Sequence, residues 1–166
     1  MGNVIKLIEP TKGDWQLVQG IWEDPETMED VGGVQPLSEE RYNQWYQKMF
    51  VLDKDKNKYF LILQGDTNQC IGEISFHNYD KEEKKARLNI KIKSNCRNHG
   101  FGRQALDLLL HYYFNVFKGE IMEDRIDIKN TNGYKTLKNY GFKEISRDKE
   151  EIIIGIRREE YEKRGA

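Results

Sequence analysis

With 166 residues, 27 basic against 28 acidic side chains and a net charge of −1, the chain gives no electrostatic case for a nucleic-acid or membrane partner. Any recognition of phosphate must therefore be local, and the length suits a single domain over residues 1–166 with room for a real core. Cys70 and Cys96 have no spacing that would make a zinc site or a disulfide framework, so no metal is expected.

In chain order, residues 1–10 hold no apolar run long enough for a signal peptide, and nothing downstream could span a bilayer. A reduced, cytoplasmic compartment is the expectation. Residues 4–8 read as a first strand. Thr11 and Asp14 then form a capping-box-like start for a helix carrying Trp15, Val18, Ile21 and Trp22. Pro25 ends that helix, and residues 26–36, with Gly32 and Gly33, read as a loop. Ser38 can cap a second helix whose face carries Tyr42, Trp45, Tyr46, Met49 and Phe50. Residues 59–63 and 70–76 read as antiparallel partners around a turn at 65–68, and residues 79–85 as the tip of a hairpin leading into a strand over 86–93.

A long amphipathic helix follows and ends near Lys118 and Gly119; a fifth strand spans 125–128 and a short helix 132–139, closed by Gly141. Residues 142–146 and 151–156 pair around a charged turn. The order β-α-α-β-β-β-α-β-α-β-β predicts an α/β chain in which one mixed, mostly antiparallel sheet carries helices on both faces. The apolar run Ile152, Ile153, Ile154 must be covered, and a homodimer through an edge strand or a central place in the sheet would both do so. Residues 157–166 read as a short charged helix or a frayed tail.

The stretch Arg97-Asn98-His99-Gly100-Phe101-Gly102-Arg103 joins the alternating strand of Leu88, Ile90 and Ile92 to the helix of Ala105, Leu106, Leu109, Tyr113 and Val116. A strand that turns through glycines into a helix is an anion cradle. The N–H groups of the first turn have no intrahelical partner and carry the positive end of the helix dipole. Gly100 and Gly102 remove side chains that would hold a pyrophosphate away from that backbone. Arg97 and Arg103 add charge within reach of phosphate, or are solvated surface residues.

Arg97-x-x-Gly100-x-Gly102 resembles the pyrophosphate signature of the GCN5-related N-acetyltransferases (GNAT), and Asn130 followed by Gly141-Phe142 resembles their second signature. The element order is similar over nearly the whole chain. The resemblance implies the acyl-CoA N-acyltransferase fold, acetyl-CoA as donor and a primary amine as acceptor. It also implies that the pantetheine arm pairs with the backbone of Ile90, Lys91 and Ile92 between the fourth and fifth strands. The pyrophosphate would then rest on Arg97, Asn98, His99, Gly100, Phe101, Gly102 and Arg103, with Asn130 nearby. His99 is expected to act through its backbone.

Acetyl transfer needs a proton acceptor for the amine, a donor to the thioester carbonyl and a proton for the leaving thiolate. A backbone N–H near Ile90 or Ile92 serves the carbonyl by resemblance. Glu73 is the first candidate base; the alternative for it is an outward carboxylate on the sheet. His77 shares its alternation, and Asn89 could position a water. Many relatives place a tyrosine four residues before the Gly-Phe pair as the thiolate's proton donor. Here that position is Leu137, which leaves Tyr134 as the substitute, Tyr140, or water. Cys96 is read as a structural thiol.

Residues 23–41 are expected to recognise the acceptor. Glu23, Asp24, Glu26, Glu29 and Asp30 suit a cationic amine there, while Trp22, Trp45 and Tyr46 line a pocket or pack in the core. Asp24-Pro25-Glu26 and Met28 resemble the branch that includes ribosomal-protein alanine and small-amine acetylators. The first expectation is an N-acetyltransferase for a polyamine, an aminoglycoside or an amino acid. A protein N-terminal or lysine acetyltransferase and a non-catalytic acyl-CoA sensor are the alternatives.

Overall fold

The structure is a computed structural model and describes residues 4–164. The expectations for residues 1–3 and 165–166 lie outside that range. Strand β1 (Ile5–Ile8) leads into the capping box, in which Thr11 accepts from the Gly13 N–H and Asp14 accepts from the Thr11 N–H. Helix α1 (Trp15–Trp22) follows. Next come α2 (Pro25–Met28) and α3 (Glu39–Gln47), which continues as a π-helical turn over Lys48–Leu52. Strands β2 (Lys58–Gln64), β3 (Cys70–Asp80) and β4 (Lys85–Ile92) form an antiparallel meander. Helix α4 (Phe101–His111) then crosses to β5 (Ile121–Asp127), and α5 (Thr131–Tyr140), β6 (Lys143–Arg147), β7 (Glu151–Arg157) and α6 (Arg158–Arg164) complete the described chain.

The seven strands form one sheet in the order β1-β2-β3-β4-β5-β7-β6, in which only β4 and β5 run parallel. Helices cover both faces because strand residues alternate between two cores. On one side Tyr59, Leu61 and Leu63 of β2 pack with Val18 and Ile21 of α1 and Tyr42 of α3. On the other, Ile62, Ile74, Phe76, Leu88, Met122 and Ile154 pack with Ala105, Leu106, Leu109 and Leu110 of α4. The mixed, mostly antiparallel sheet with helices on both faces is as the element order predicts.

Two expectations are corrected. Pro25 opens a short helix instead of starting a loop, because proline suits the first helical position, where an N–H is spare. Strand β5 begins four residues earlier than the pattern indicated, since the N–H groups of Glu120 and Ile121 both donate to the Lys84 carbonyl. Of the two ways of covering Ile152-Ile153-Ile154, the sheet supplies the central place: β7 lies between β5 and β6, and the outer strand is the wholly exposed β6.

Candidate active site

β4 and β5 pair only at Lys85 with Ile121, Ala86 with Met122 and Arg87 with Glu123. Beyond Arg87 the strands part, although β4 stays paired with β3 as far as Ile92. The gap opens into a cleft of about 860 Å³ lined by both strands, the start of α4 and one side of α5. One edge of β4 around Ile90, Lys91 and Ile92 is therefore without a strand partner, and half of its backbone groups face the gap.

At the far end of β4 a 3-10 turn (Ser94–Cys96) leads into α4. Asn98 and Gly100 both adopt left-handed backbone angles, with φ of 66° and 79°, which turns successive N–H groups towards one side. The first bond of α4 runs from the Gln104 N–H to the Gly100 carbonyl at 3.2 Å. Phe101, Gly102 and Arg103 therefore keep N–H groups with no acceptor inside the helix. A Cβ on Gly102 would make only ordinary contacts with Thr136, Ile92 and Ile90, at 3.7–4.0 Å. Packing thus leaves this position room, and the missing side chain matters for what approaches the backbone. The arrangement fits a pyrophosphate.

The charged side chains of this loop divide. Arg97 is spent on the protein: its Nε donates to the Ile92 carbonyl at 3.2 Å and its Nη2 to the Thr27 carbonyl at 3.1 Å. Arg103 is exposed and forms no salt bridge among the described residues; its guanidinium lies 6.0 Å from the centre of the Tyr140 ring. The His99 ring is fixed by Nδ1 at 2.8 Å from the Arg97 carbonyl and by stacking on Phe101. Asn130 caps α5 by accepting from the Gly133 N–H at 2.9 Å, while lining the cleft. Cys96 also lines it, and its thiol donates to Asn95.

Glu73 is 1 % exposed and lies behind the β4 wall instead of lining the cleft, so it is neither an outward carboxylate nor an open base. Its Oε1 accepts from Trp22 Nε1 at 2.6 Å and Tyr59 Oη at 2.7 Å. Its Oε2 accepts from Asn89 Nδ2 at 2.7 Å and Lys91 Nζ at 3.3 Å. Burial opposes its charge, but the Lys91 ammonium and the hydrogen bonds from Tyr59, Trp22 and Asn89 outweigh it and hold the carboxyl below its ordinary range. A carboxylate so satisfied is a poor proton acceptor.

Tyr134 is likewise not brought to the cleft. Its hydroxyl donates to Glu144 at 3.2 Å on β6, and Arg147 covers its ring. The Tyr140 hydroxyl donates to Asp107 at 2.8 Å, with Arg164 over the ring. Leu137 is buried in the cleft wall.

The acidic segment is mostly committed to structure. Glu23 accepts from the Leu37 N–H, Asp24 from the Thr27 hydroxyl and Glu26 from the Ser94 hydroxyl. Of its five carboxylates, only Asp30 lines the cleft. Trp22 and Trp45 pack edge to face in the second core, and neither lines the cleft.

One cleft residue escaped sequence reasoning. Asp124, half-buried on β5, is the first residue after the last β4–β5 pair. Burial pushes its carboxyl up to about 7, against the Arg125 N–H and the positive charges of Arg87 and Lys91. Its only sequence signal is a polar residue at an alternation position otherwise held by Met122 and Ile126. His77 also lines the cleft; burial, Arg87 and Lys91 push its pKa down. Among the described residues no group of side chains is arranged to hold a metal, and no helix is long and apolar enough to cross a membrane.

Residues 5–143 match the model of the acetyltransferase (GNAT) domain, and the chain belongs to that family. It is 25 % identical over 91 residues to the uncharacterized N-acetyltransferase p20 of Bacillus licheniformis. That match spans 55 % of this chain and about half of the relative, 51 % of its length. In fold it is similar to the spermidine N-acetyltransferase of Vibrio cholerae solved in complex with CoA and spermine. The TM-score is 0.83 at 16 % identity, over 95 % of this chain and 97 % of that one. It is also similar to a GNAT-family acetyltransferase of Bacillus anthracis, with a TM-score of 0.77 at 20 % identity over 93 % and 95 % of the two chains.

Proposed function

We propose that the protein is an acetyl-CoA-dependent N-acetyltransferase that acetylates the primary amine of a small molecule by direct attack in a ternary complex. The observation that carries this reading is the parting of β4 from β5 at Arg87 and Glu123, with the gap leading to the glycine-bearing start of α4. Acetyl-CoA, when bound, supplies an acyl group activated on sulfur; the chain binds, orients and moves protons. The amides of residues 98–103, with Arg103, hold the pyrophosphate. The open edge of β4 at Ile90, Lys91 and Ile92 takes the pantetheine arm, and an N–H of Ile90 or Ile92 polarises the thioester carbonyl. With the Tyr134 and Tyr140 hydroxyls bonded elsewhere, the leaving sulfur takes its proton from the reacting amine, directly or through water.

The likeness to an enzyme solved with spermine supports a small amine as acceptor. The lining, however, sets Arg87 and Lys91, with an Arg125 paired to Glu151, against Asp30, Asp124 and Asp127, so it is not the acidic sink a polycation needs. An amine carrying its own carboxylate, such as an amino acid, fits that balance better. A cytoplasmic setting goes with this reading.

The test is thiol release from acetyl-CoA against spermidine, an aminoglycoside, a set of amino acids and N-terminal peptides, with acetyl-CoA binding measured by calorimetry. Release that depends on one small-amine class supports the proposal. Release on peptides alone makes the protein a protein acetyltransferase, and binding without any release makes it a sensor.

A further inference from the structure

We propose that Asp124 is the catalytic base that takes the proton from the acceptor ammonium. This rests on the transferase reading above and deepens it. The phosphate cradle lies at the end of β4 near Ile92, whereas Asp124 lies at the opposite end of the gap, where the strands first part. An arm anchored at the cradle and laid along β4 from Ile92 to Leu88 covers about 13 Å at strand rise, and so brings its reactive end to this apex. The proton must be removed there.

Asp124 has the chemistry for the step. It forms no salt bridge with any described residue, unlike Glu73, whose oxygens meet four donors. The charged and titratable groups lining the cleft around it are Arg87 and Lys91 of β4, His77 of β3, Asp30 of the turn after α2, and Asp127 and Arg125 of β5, the last paired with Glu151 of β7 at 2.9 Å. The nearby cations do not overcome the burial, and the carboxyl titrates at about 7. A base poised there accepts a proton at neutral pH and returns it to water within a turnover.

The step balances as follows. One N–H bond of the ammonium breaks and its proton goes to an Asp124 oxygen, leaving a lone pair on nitrogen. That pair forms the C–N bond with the acetyl carbon, and the C–S bond breaks with its electrons passing to sulfur. A second proton leaves the nitrogen and ends on the sulfur. Asp124 then gives its proton to solvent, so that one proton is released per acetyl group transferred.

Two measurements test this. The Asp124 carboxyl is titrated by NMR in protein labelled with carboxyl-13C aspartate, and assigned by its loss in Asp124→Asn; a midpoint near 7 is expected, and one below 5 overturns the proposal. In parallel, kcat is followed from pH 5.5 to 9 with the best amine of the panel. Wild type is expected to climb to a plateau above pH 7. Asp124→Asn should lose that limb and about 100-fold or more in kcat, while its Kd for acetyl-CoA stays within twofold. Asp124→Glu should keep the limb, which separates loss of the base from loss of the fold. A limb that persists in Asp124→Asn and vanishes in His77→Gln overturns the assignment and gives the role to His77. Absence of thiol release by wild type with every amine overturns the transferase reading itself, and this proposal with it.

Discussion

Glu73 and Asp124 stand on either side of the parting strands, and their surroundings push them towards opposite protonation states. Glu73 is kept ionised by Lys91 and three neutral donors, while Asp124 is kept close to neutral by burial. Lys91→Met would leave a buried carboxylate without its cation. It should cost about 3–5 kcal/mol in urea unfolding at pH 7, the usual toll of breaking a buried pair. A cost under 1 kcal/mol would show that Tyr59, Trp22 and Asn89 suffice. Gly102→Asp places an anion in the cradle where a Cβ has room. Calorimetry should show acetyl-CoA affinity falling at least about 30-fold, consistent with ~2 kcal/mol of lost anion binding, with Tm nearly unchanged. At this scale the sequence showed which residues carry chemistry but not where their side chains end. Glu73 and Tyr134 were both plausible by type. Only the register that sets Glu73 opposite Lys91, and the proximity of β6 to α5, reveal that their polar atoms are already engaged.

Among the elements, α2 and the phosphate loop act as a unit. The Thr27 hydroxyl donates to Asp24 and accepts from the Ser94 N–H at 3.0 Å, while Arg97 ties the Thr27 carbonyl to the end of β4. Thr27→Val keeps the shape and removes both hydroxyl bonds. It should cost about 1–3 kcal/mol through the stranded Ser94 N–H, and raise KM for acetyl-CoA several-fold with kcat nearly constant. An unchanged KM would show that the loop holds its form without α2. The strand, glycine loop and helix over residues 86–111 were legible because alternation gives way to helical spacing across two glycines. Helix α2 was not, because its proline reads equally as a stop and a start. Nor was the start of β5, because the charged Glu123 and Asp124 interrupt the apolar pattern between Met122 and Ile126 where the strand borders the cleft.

For the whole molecule, one sheet separates two cores, and the buried Glu73 cluster lies on the face shared with α1 and α3. Because the folded pKa of Glu73 lies below its ordinary value of 4.5, its stabilisation is present above that value and is lost as pH falls through the folded pKa. The Tm difference between wild type and Glu73→Gln should thus be wide at pH 7 and shrink below pH 4.5. A difference independent of pH would remove the charge from the explanation. Asp124 works in the other direction. Its raised pKa makes ionisation costly to the fold, so Asp124→Asn should gain Tm relative to wild type as pH climbs from 5 to 8. The sheet's composition was readable from the alternating runs. The place of β7 between β5 and β6 was not, since an apolar run shows that a strand is covered without saying by what.

The short seam between β4 and β5 also divides a single strand by rate. Amides of β4 turned towards β3 sit in a ladder that runs from Lys85 to Ile92 and exchange with deuterium only when the sheet opens. Amides of the same strand turned towards the gap beyond Arg87 have no strand to shield them and exchange with solvent directly. Hydrogen exchange from Leu88 to Ile92 should therefore alternate between slow and fast, and a ligand that slows the fast set has bound as a missing strand.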